Sequence, residues 1–321
     1  MTDAVEARFR DIFRAAHADH AACANDEWLN QPCRNPDGSL VDRPLVWSRR
    51  NGPWTRVPVL WVGAAPGNAG GLGSGDLGAH ATRIPFGGDI AGGNLDVLLS
   101  SVGLDRNSTF IVAAYNRLPD RGGGEPTTRE LARPLGAYPD SLALLRDTVV
   151  ATGPELIVTL GQVGLRTLIA ALTRPWDAPV GQPAQAPAPP VRLPGTARVA
   201  AAGFRRGQVV EWPVEAFPLA AGFVAAWRAA WGSEPHVRVL PLLHPSAQNM
   251  SPFAGRHTLF HKRMLETRDA LAAAVRIVLR RELPDPRPPL PQEGIYGLPE
   301  WRERIAERHT RYDELWRAGG V

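Results

Sequence analysis

Val57–Gly93 reads VPVLWVGAAPGNAGGLGSGDLGAHATRIPFGGDIAGG. Its first six residues form a short apolar run rich in β-branched side chains, which predicts a buried strand. The glycine-rich loop that follows lets the backbone approach a ligand closely, and it ends in an aromatic–Gly–Gly–Asp turn. A second stretch, Leu242–Asn249, reads LLHPSAQN and also follows an apolar run. The two stretches together predict a pocket built on backbone amides and closed by one histidine, His244.

Four short apolar runs alternate with helical patterns along the chain. The predicted strands are Val57–Val62, Thr109–Tyr115, Glu155–Leu160 and Val237–Leu243. The predicted helices between and after them are Asn94–Val102, Asp140–Thr152, Val163–Leu172 and His257–Arg281. We expect Asn94 to cap the first of these helices and Gly103 to end it. This alternation predicts an α/β fold with three αβα layers around a central four-stranded parallel sheet.

The segments that flank these elements suggest three parts of the chain. Residues 1–56 are expected to form an N-terminal helix and a loop that pack on the core, and residues 57–282 to form the main domain. Residues 283–321 follow as a Pro-rich linker and a C-terminal helix. An insertion at about 174–235 interrupts the main domain. For it we predict a short strand pair and a helix, at Arg198–Phe204, Gln208–Trp212 and Ala220–Trp231.

The bulk composition excludes several classes of protein. The chain has 321 residues, of which 44% are hydrophobic, enough for one sizeable core with additions or two small domains. No apolar run reaches the roughly 18 residues of a membrane-spanning helix. The first residues form a charged amphipathic pattern unlike a signal peptide, so we expect a cytoplasmic protein.

The formal net charge is +4 and the pI is about 9.6. Lys262 is the only lysine, so arginine carries the positive charge. Arginine binds phosphate bidentately, but a genome that encodes arginine in preference to lysine would give the same composition. Cys23 and Cys33 are the only cysteines, too few for a usual zinc or iron–sulfur site. We expect no disulfide, no metal and no cofactor.

One motif can be set aside. Gly73–Gly78, GSGDLG, matches the dinucleotide-binding pattern literally. That pattern must lie in the tight turn between a strand and a helix, and here more loop surrounds it. A nucleoside-triphosphate loop is also absent from the sequence.

Three motifs resemble those of the uracil-DNA glycosylase superfamily: GAAPG at Gly63–Gly67, PFGGD at Pro85–Asp89 and HPSAQN at His244–Asn249. Their order, spacing and strand contexts agree, and the resemblance extends from about Val57 to Arg281. The chain looks closest to bacterial branches that usually carry an iron–sulfur cluster. It lacks their four cysteines, which supports the expectation that no cluster is bound.

The sequence departs from those relatives at two further places. Ala64 and Ala65 stand where other branches carry an acid or an amide in the first loop. After the second strand, relatives commonly carry an R-P-P-type turn and a base-reading asparagine, whereas this chain reads Asn116–Arg117–Leu118–Pro119. These differences leave the identity of the base open.

The resemblance implies a set of base-binding residues. They are Gly63, Ala65, Pro66, Gly67, Asn68, Phe86 and Asn116. Backbone N–H groups of the loop would face a pyrimidine carbonyl, Phe86 would stack on the flipped ring, and Asn116 would read its edge. Phe86 could instead be a core residue, and Asn116 could be a turn former.

The catalytic residues implied in the same way are His244 and Asp89. His244 would hydrogen-bond the pyrimidine O2, on which negative charge develops, although a structural histidine is the alternative. Asp89 would face the sugar cation or orient water, with Asp76 and Asn68 as substitutes.

The DNA-binding residues implied are Ser246, Gln248, Asn249, Met250, Phe253, Arg256 and Arg263. Met250 or Phe253 would fill the space that the flipped base leaves, and the two arginines would hold phosphates. An ordinary loop and a solvated helix face are the alternative interpretation.

Together these residues suggest a monofunctional DNA glycosylase that excises uracil, and other deaminated bases with it, to leave an abasic site in base excision repair. A lyase activity is not expected, because Lys262 is placed to meet phosphate rather than the sugar. Two alternatives stay open: a glycosylase for a different modified base, and a non-catalytic relative that binds DNA or abasic sites. The expected partner is DNA, single- or double-stranded. We expect no association with a membrane, and we expect the protein to be a monomer.

Overall fold

A computed structural model describes part of the chain. The described residues are 33–34, 40–41, 57–64, 90–104, 109–114, 141–175, 193–245 and 257–284. Two short strands, β1 (Cys33–Arg34) and β2 (Leu40–Val41), pair antiparallel. The predicted N-terminal helix and the predicted C-terminal helix lie outside the described residues.

A five-stranded, mostly parallel sheet forms the centre of the molecule. Its strands are β3 (Val59–Gly63), β4 (Thr109–Ala113), β5 (Leu156–Leu160), β6 (Val210–Glu211) and β7 (Arg238–Leu242). Their order is β4-β3-β5-β7-β6. The four predicted strands pair in parallel, as expected. The sheet has five strands rather than the four that the sequence predicted, because β6 adds an antiparallel edge strand next to β7.

Six helices are described in the chain segments around the sheet. They are α1 (Ile90–Ser100), α2 (Ser141–Thr152), α3 (Gly161–Thr173), α4 (Thr196–Ala201), α5 (Ala221–Trp231) and α6 (His257–Ile277). The prediction that Asn94 caps the first helix is wrong, because α1 begins four residues earlier at Ile90 and Asn94 lies inside it. Gly103 does take a left-handed conformation after that helix, with φ +71°.

The predicted strand pair in the insertion is also wrong. Residues 196–201 form α4, and the strand at Val210–Glu211 pairs with β7. An antiparallel partner within the insertion is unnecessary because the edge of the main sheet satisfies the same backbone groups. The predicted helix at 220–231 is confirmed as α5.

Side chains of the sheet alternate between two hydrophobic cores. In β3, Leu60 and Val62 join the core that contains residues of α2, α3 and α5. Val59 and Trp61 join the other core, with residues of α1 and α6. The period of two along a strand explains this division, and it accounts for an apolar run in which every residue is buried.

The described part of the insertion is packed onto the main domain. The indole N–H of Trp212 donates to the Phe217 carbonyl at 2.7 Å, and its ring meets Phe204 edge to face with centroids 5.8 Å apart. The backbone N–H of Ala220 donates to the carbonyl of Leu172 in α3 at 2.9 Å. These contacts fix the chain that leads into and out of β6.

Candidate active site at the carboxyl end of the sheet

The strand order places a topological switch point between β3 and β5. After β3 the chain adds β4 on one side, and it then adds β5 on the other side of β3. In open parallel sheets, ligands bind beyond the carboxyl ends of the strands at such a point. The glycine-rich loop leaves the carboxyl end of β3, and the HPSAQN loop leaves that of β7. Both motifs therefore start at the sheet edge where a ligand is expected.

Gly63, the last residue of β3, is buried and hydrogen-bonded at this edge. Its carbonyl accepts the backbone N–H of Ala114 at 2.8 Å, which continues the pairing with β4 beyond the strand itself. Ala64, the next residue, is 5% exposed. The chain thus enters the glycine loop through a buried residue, Ala64, whose side chain is only a methyl group.

Helix α3 approaches the end of β3 unusually closely. A Cβ atom added at Gly164 would lie 2.6 Å from the Val62 carbonyl oxygen and 3.5 Å from that of Gly63. Real Cβ atoms do not approach a backbone oxygen to 2.6 Å, so only glycine permits this spacing. Gly164 therefore sets the distance between the start of α3 and the strand that carries the glycine loop.

His244 lies two residues beyond β7 and is half-buried. The first residue of α3, Gly161, lies close to it, since a Cβ added at Gly161 would lie 3.7 Å from the His244 Cβ. Gly161 has φ +81°, a conformation that glycine adopts without strain. The start of α3 thereby limits where the backbone of His244 can lie.

A buried hydrogen bond holds the next residue, Pro245. The side-chain amide of Asn94 in α1 donates to the Pro245 carbonyl at 2.8 Å, across 151 residues of sequence. Asn94 is only 2% exposed, and Pro245 is buried. The bond ties the helix that follows the glycine loop to the loop that carries His244.

The pairing register of the strands gives the distance between the two loops that border the site. Val62 pairs with Thr159, and Leu160 pairs with Leu242, so β5 separates the ends of β3 and β7. With adjacent strands about 4.8 Å apart, the two loops leave the sheet about 10 Å from one another. His244 and Gly63 are thus brought to opposite sides of one crevice.

Of the residues predicted for the site, three lie in the described part of the chain: Gly63, His244 and Arg263. Arg263 is half-buried in α6 and engaged in a contact of its own. The remaining predictions lie outside the described residues: Ala65, Pro66, Gly67, Asn68, Phe86, Asp89, Asn116, Ser246, Gln248, Asn249, Met250, Phe253 and Arg256.

Sequence reasoning missed the positioning contacts of Asn94, Gly161 and Gly164. The signal for Asn94 was present, because it shares one face of α1 with Ala91 and Leu98, both buried. A polar side chain on the apolar face of a helix indicates a buried hydrogen bond. Gly161 and Gly164 carry no comparable signal, since a close approach appears only when the partner element is known.

Within the described ranges, no group of three or more His, Cys, Asp or Glu side chains is placed to hold a metal ion. Nor does any helix in that part of the chain have the length and apolar character needed to cross a membrane.

The fold and the crevice define an open-sheet α/β protein with a candidate ligand site at its switch point. The family model of the uracil DNA glycosylase superfamily matches residues 51–272, more than half of the chain. The protein therefore belongs to this superfamily, which acts on DNA. No curated protein matches the chain.

Proposed function

We propose that the protein is a monofunctional DNA glycosylase that excises uracil from DNA and leaves an abasic site. The observation that carries the proposal is the convergence of the β3 loop and His244 on one switch point, in a chain of this superfamily. Residues 57–282 form the catalytic domain in this proposal, with the insertion inside it. The protein acts in the cytoplasm as a monomer.

Cleavage of the N-glycosidic bond creates an oxocarbenium-like sugar and an anionic base. The base must be flipped out of the DNA before a side chain can reach it. His244 donates a hydrogen bond to the pyrimidine O2, where negative charge builds as the bond breaks. A donor that is fixed before the reaction stabilises such charge without reorganising. The Asn94–Pro245 hydrogen bond and the close approach of the Gly161 backbone support that fixation.

The remaining roles follow the resemblance. The backbone N–H groups of residues Ala65 to Asn68, in the glycine loop, face a carbonyl of the base. Phe86 stacks on the flipped ring, and Asn116 reads its N3–H and O4 edge. No side chain of Ala64 or Ala65 can hold the attacking water. Asp89 is therefore assigned to the sugar cation or to water.

Contacts with DNA outside the base are assigned to the loop after His244 and to α6. Ser246, Gln248 and Asn249 contact the strand, and Met250 or Phe253 fills the gap left by the flipped base. Arg256 and Arg263 contact phosphates. The buried methyl of Ala64, at a position where other branches carry a polar group, favours a second candidate, a glycosylase for a different modified base.

Single-turnover excision from uracil-containing DNA tests the assignment of the catalytic groups. We expect His244→Ala to lower the rate about 10²–10³-fold, the loss typical of a removed oxyanion donor. Asp89→Asn should cost less, because water meets a sugar that is already cationic: roughly 10-fold or more if Asp89 orients water, and nothing if it only shapes the turn. Circular dichroism controls for folding. A His244→Ala enzyme near the wild-type rate, beside an inactive Asp89→Asn enzyme, would make Asp89 the central catalytic group.

A further inference from the structure

The insertion brings a turn, Phe204–Gln208, to the same end of the sheet as the candidate active site. β6 runs antiparallel to β7, with Val210 opposite Val239. The chain before β6 therefore lies beside the carboxyl end of β7. The backbone N–H of Gly207 confirms the placement, since it donates to the Pro241 carbonyl at 2.8 Å.

The turn is held between β7 and α6. Gly207 has φ +76°, and a Cβ added there would lie 3.6 Å from the Ala270 Cβ in α6. Phe204 is buried, and the backbone N–H of Gln208 donates to the Arg205 carbonyl at 3.2 Å. The backbone that carries Arg205 and Arg206 is thus fixed, although both side chains are exposed.

Other arginines of this region are engaged within the protein. Arg228 pairs with Glu234 at 2.6 Å, and Arg238 pairs with Glu211 at 2.6 Å. Arg198 lies 5.0 Å from the centroid of the Phe217 ring. Arg205 and Arg206, in contrast, have no hydrogen bond or ion pair from their guanidinium groups to any residue in the described ranges.

Arg205 and Arg206 are adjacent on a fixed turn, and neither is paired with a residue that the structure describes. They therefore offer two positive charges to an anion that repeats along a chain. Pro241 lies three residues before His244, which corresponds to about 10 Å of extended backbone. Successive phosphates of one DNA strand are only about 3.4 Å apart along the helix axis, so phosphates near the excised nucleotide fall within such a distance. A strand whose base occupies the crevice therefore has phosphates within range of the turn.

We propose that Arg205 and Arg206 bind backbone phosphates of the DNA strand from which the base is excised, close to that base. The insertion is then a DNA-binding element of the protein as well as a part of its core. This assignment rests on the proposed function, because the strand must enter the crevice for its phosphates to reach the turn.

The test is the salt dependence of binding to an oligonucleotide with a central abasic-site analogue, measured by fluorescence anisotropy. Each lost phosphate contact lowers the slope of log K against log salt by about 0.9 on duplex DNA and about 0.7 on a single strand. The variant Arg205→Ala/Arg206→Ala should therefore lower the duplex slope by about 1.8. Between about 50 and about 200 mM salt, wild-type affinity should fall about 12-fold more than that of the variant.

Two further variants serve as controls. Arg205→Lys/Arg206→Lys keeps both charges and should keep most of the slope. Arg276→Ala/Arg280→Ala removes two exposed arginines at and just beyond the carboxyl end of α6, neither of them paired to a described residue. It should leave the slope close to that of the wild type. Thermal unfolding confirms that each variant is folded.

The outcomes separate this proposal from the proposed function. If the wild type excises a base but the double alanine variant keeps its slope, the phosphate assignment is wrong and the glycosylase stands. The same holds if the Arg276 and Arg280 variant loses as much slope, or if the lysine pair behaves like the alanine pair. If the wild type neither binds the abasic DNA nor releases a base, both proposals fail together.

Discussion

The two ends of the central sheet are built in different ways. At the amino end, large side chains close the core: the indole of Trp231 packs on Gly153, and its N–H donates to the Val150 carbonyl at 2.7 Å. At the carboxyl end, small residues and one amide determine the spacing, at Gly161, Gly164 and Asn94. The amino end therefore stabilises the fold, whereas the carboxyl end holds backbone segments around a crevice.

The largest effect on stability is expected at the amino end, from Gly153→Ala. Gly153 has φ +51°, and a Cβ there would lie 2.4 Å from the Trp231 ring. A left-handed conformation costs a non-glycine residue about 1–2 kcal/mol, and overpacking costs about 1–3 kcal/mol more. We expect Tm to fall by about 5–15 °C, while the excision rate of the folded protein is unchanged.

Gly232→Ala is the matched control. Gly232 also has positive φ, +65°, but a Cβ there would meet no atom within 4 Å. The control should therefore show the backbone strain without the overpacking. Equal losses of Tm in the two variants would mean that Trp231 moves freely, and that the amino end is not the tightly packed region we describe.

An effect on both stability and activity is expected from Gly164→Ala at the carboxyl end. The new Cβ would meet the Val62 carbonyl oxygen, a backbone atom of the central strand, so α3 must shift. Overpacking costs about 1–3 kcal/mol, and the higher helix propensity of alanine offsets about 1 kcal/mol. A displacement of about 1 Å at an active site can lower a rate about 100-fold.

Chemical denaturation and single-turnover excision measure the two effects. Gln162→Ala places the same residue at an exposed position in the first turn of α3 and should change neither quantity. If Gly164→Ala excises the base at the wild-type rate despite its lower stability, the spacing between α3 and β3 serves packing alone.

A smaller effect is expected from Asn94→Leu, which removes the donor to the Pro245 carbonyl. An unsatisfied buried carbonyl costs about 1–3 kcal/mol. Because the lost bond fixes the loop that carries His244, the single-turnover rate should fall about 10-fold, in line with about 1.4 kcal/mol per factor of ten. Substrate binding should change less than the rate.

Ser101→Ala provides the comparison for Asn94→Leu. The Ser101 hydroxyl is buried and donates to the Leu98 carbonyl at 2.8 Å, beyond the last turn of α1 and away from His244. Its loss should lower stability by about 1 kcal/mol and leave the rate unchanged. A similar fall in rate for both variants would mean that α1 acts through general stability and that Asn94 does not position the loop.

The sequence predicted the sheet well where its strands are apolar throughout. β5 and β7 lie within the predicted runs, and β3 extends one residue beyond its run, to Gly63. A strand covered on both faces has few polar residues, so its limits are clear. β6 was harder, since it has only two residues and its partner follows 27 residues later, at Arg238. A two-residue strand has no period, and only the exposed edge of β7 defines it.

For the candidate site, the sequence predicted which loops meet but not what holds them. His244 was identified from its motif and its place after a strand. Asn94 was assigned to the wrong role because a cap and a buried donor use the same side chain, and α1 begins earlier than its apolar face suggests. The sequence of the insertion gave no sign that the turn with Arg205 and Arg206 lies at the carboxyl end of β7, because its position depends on the pairing of β6 with β7.

We propose that uracil is excised from DNA in the crevice between the carboxyl ends of β3 and β7. The most direct measurement incubates the wild-type protein with single- and double-stranded oligonucleotides, each with one uracil or another deaminated or modified base, and detects the released base by mass spectrometry. We predict free uracil and an intact strand with an abasic site, with no adduct trapped by borohydride. Release of a different base without uracil would assign the crevice to that base. Tight binding of abasic DNA with no released base at all would contradict a glycosylase and indicate a non-catalytic relative.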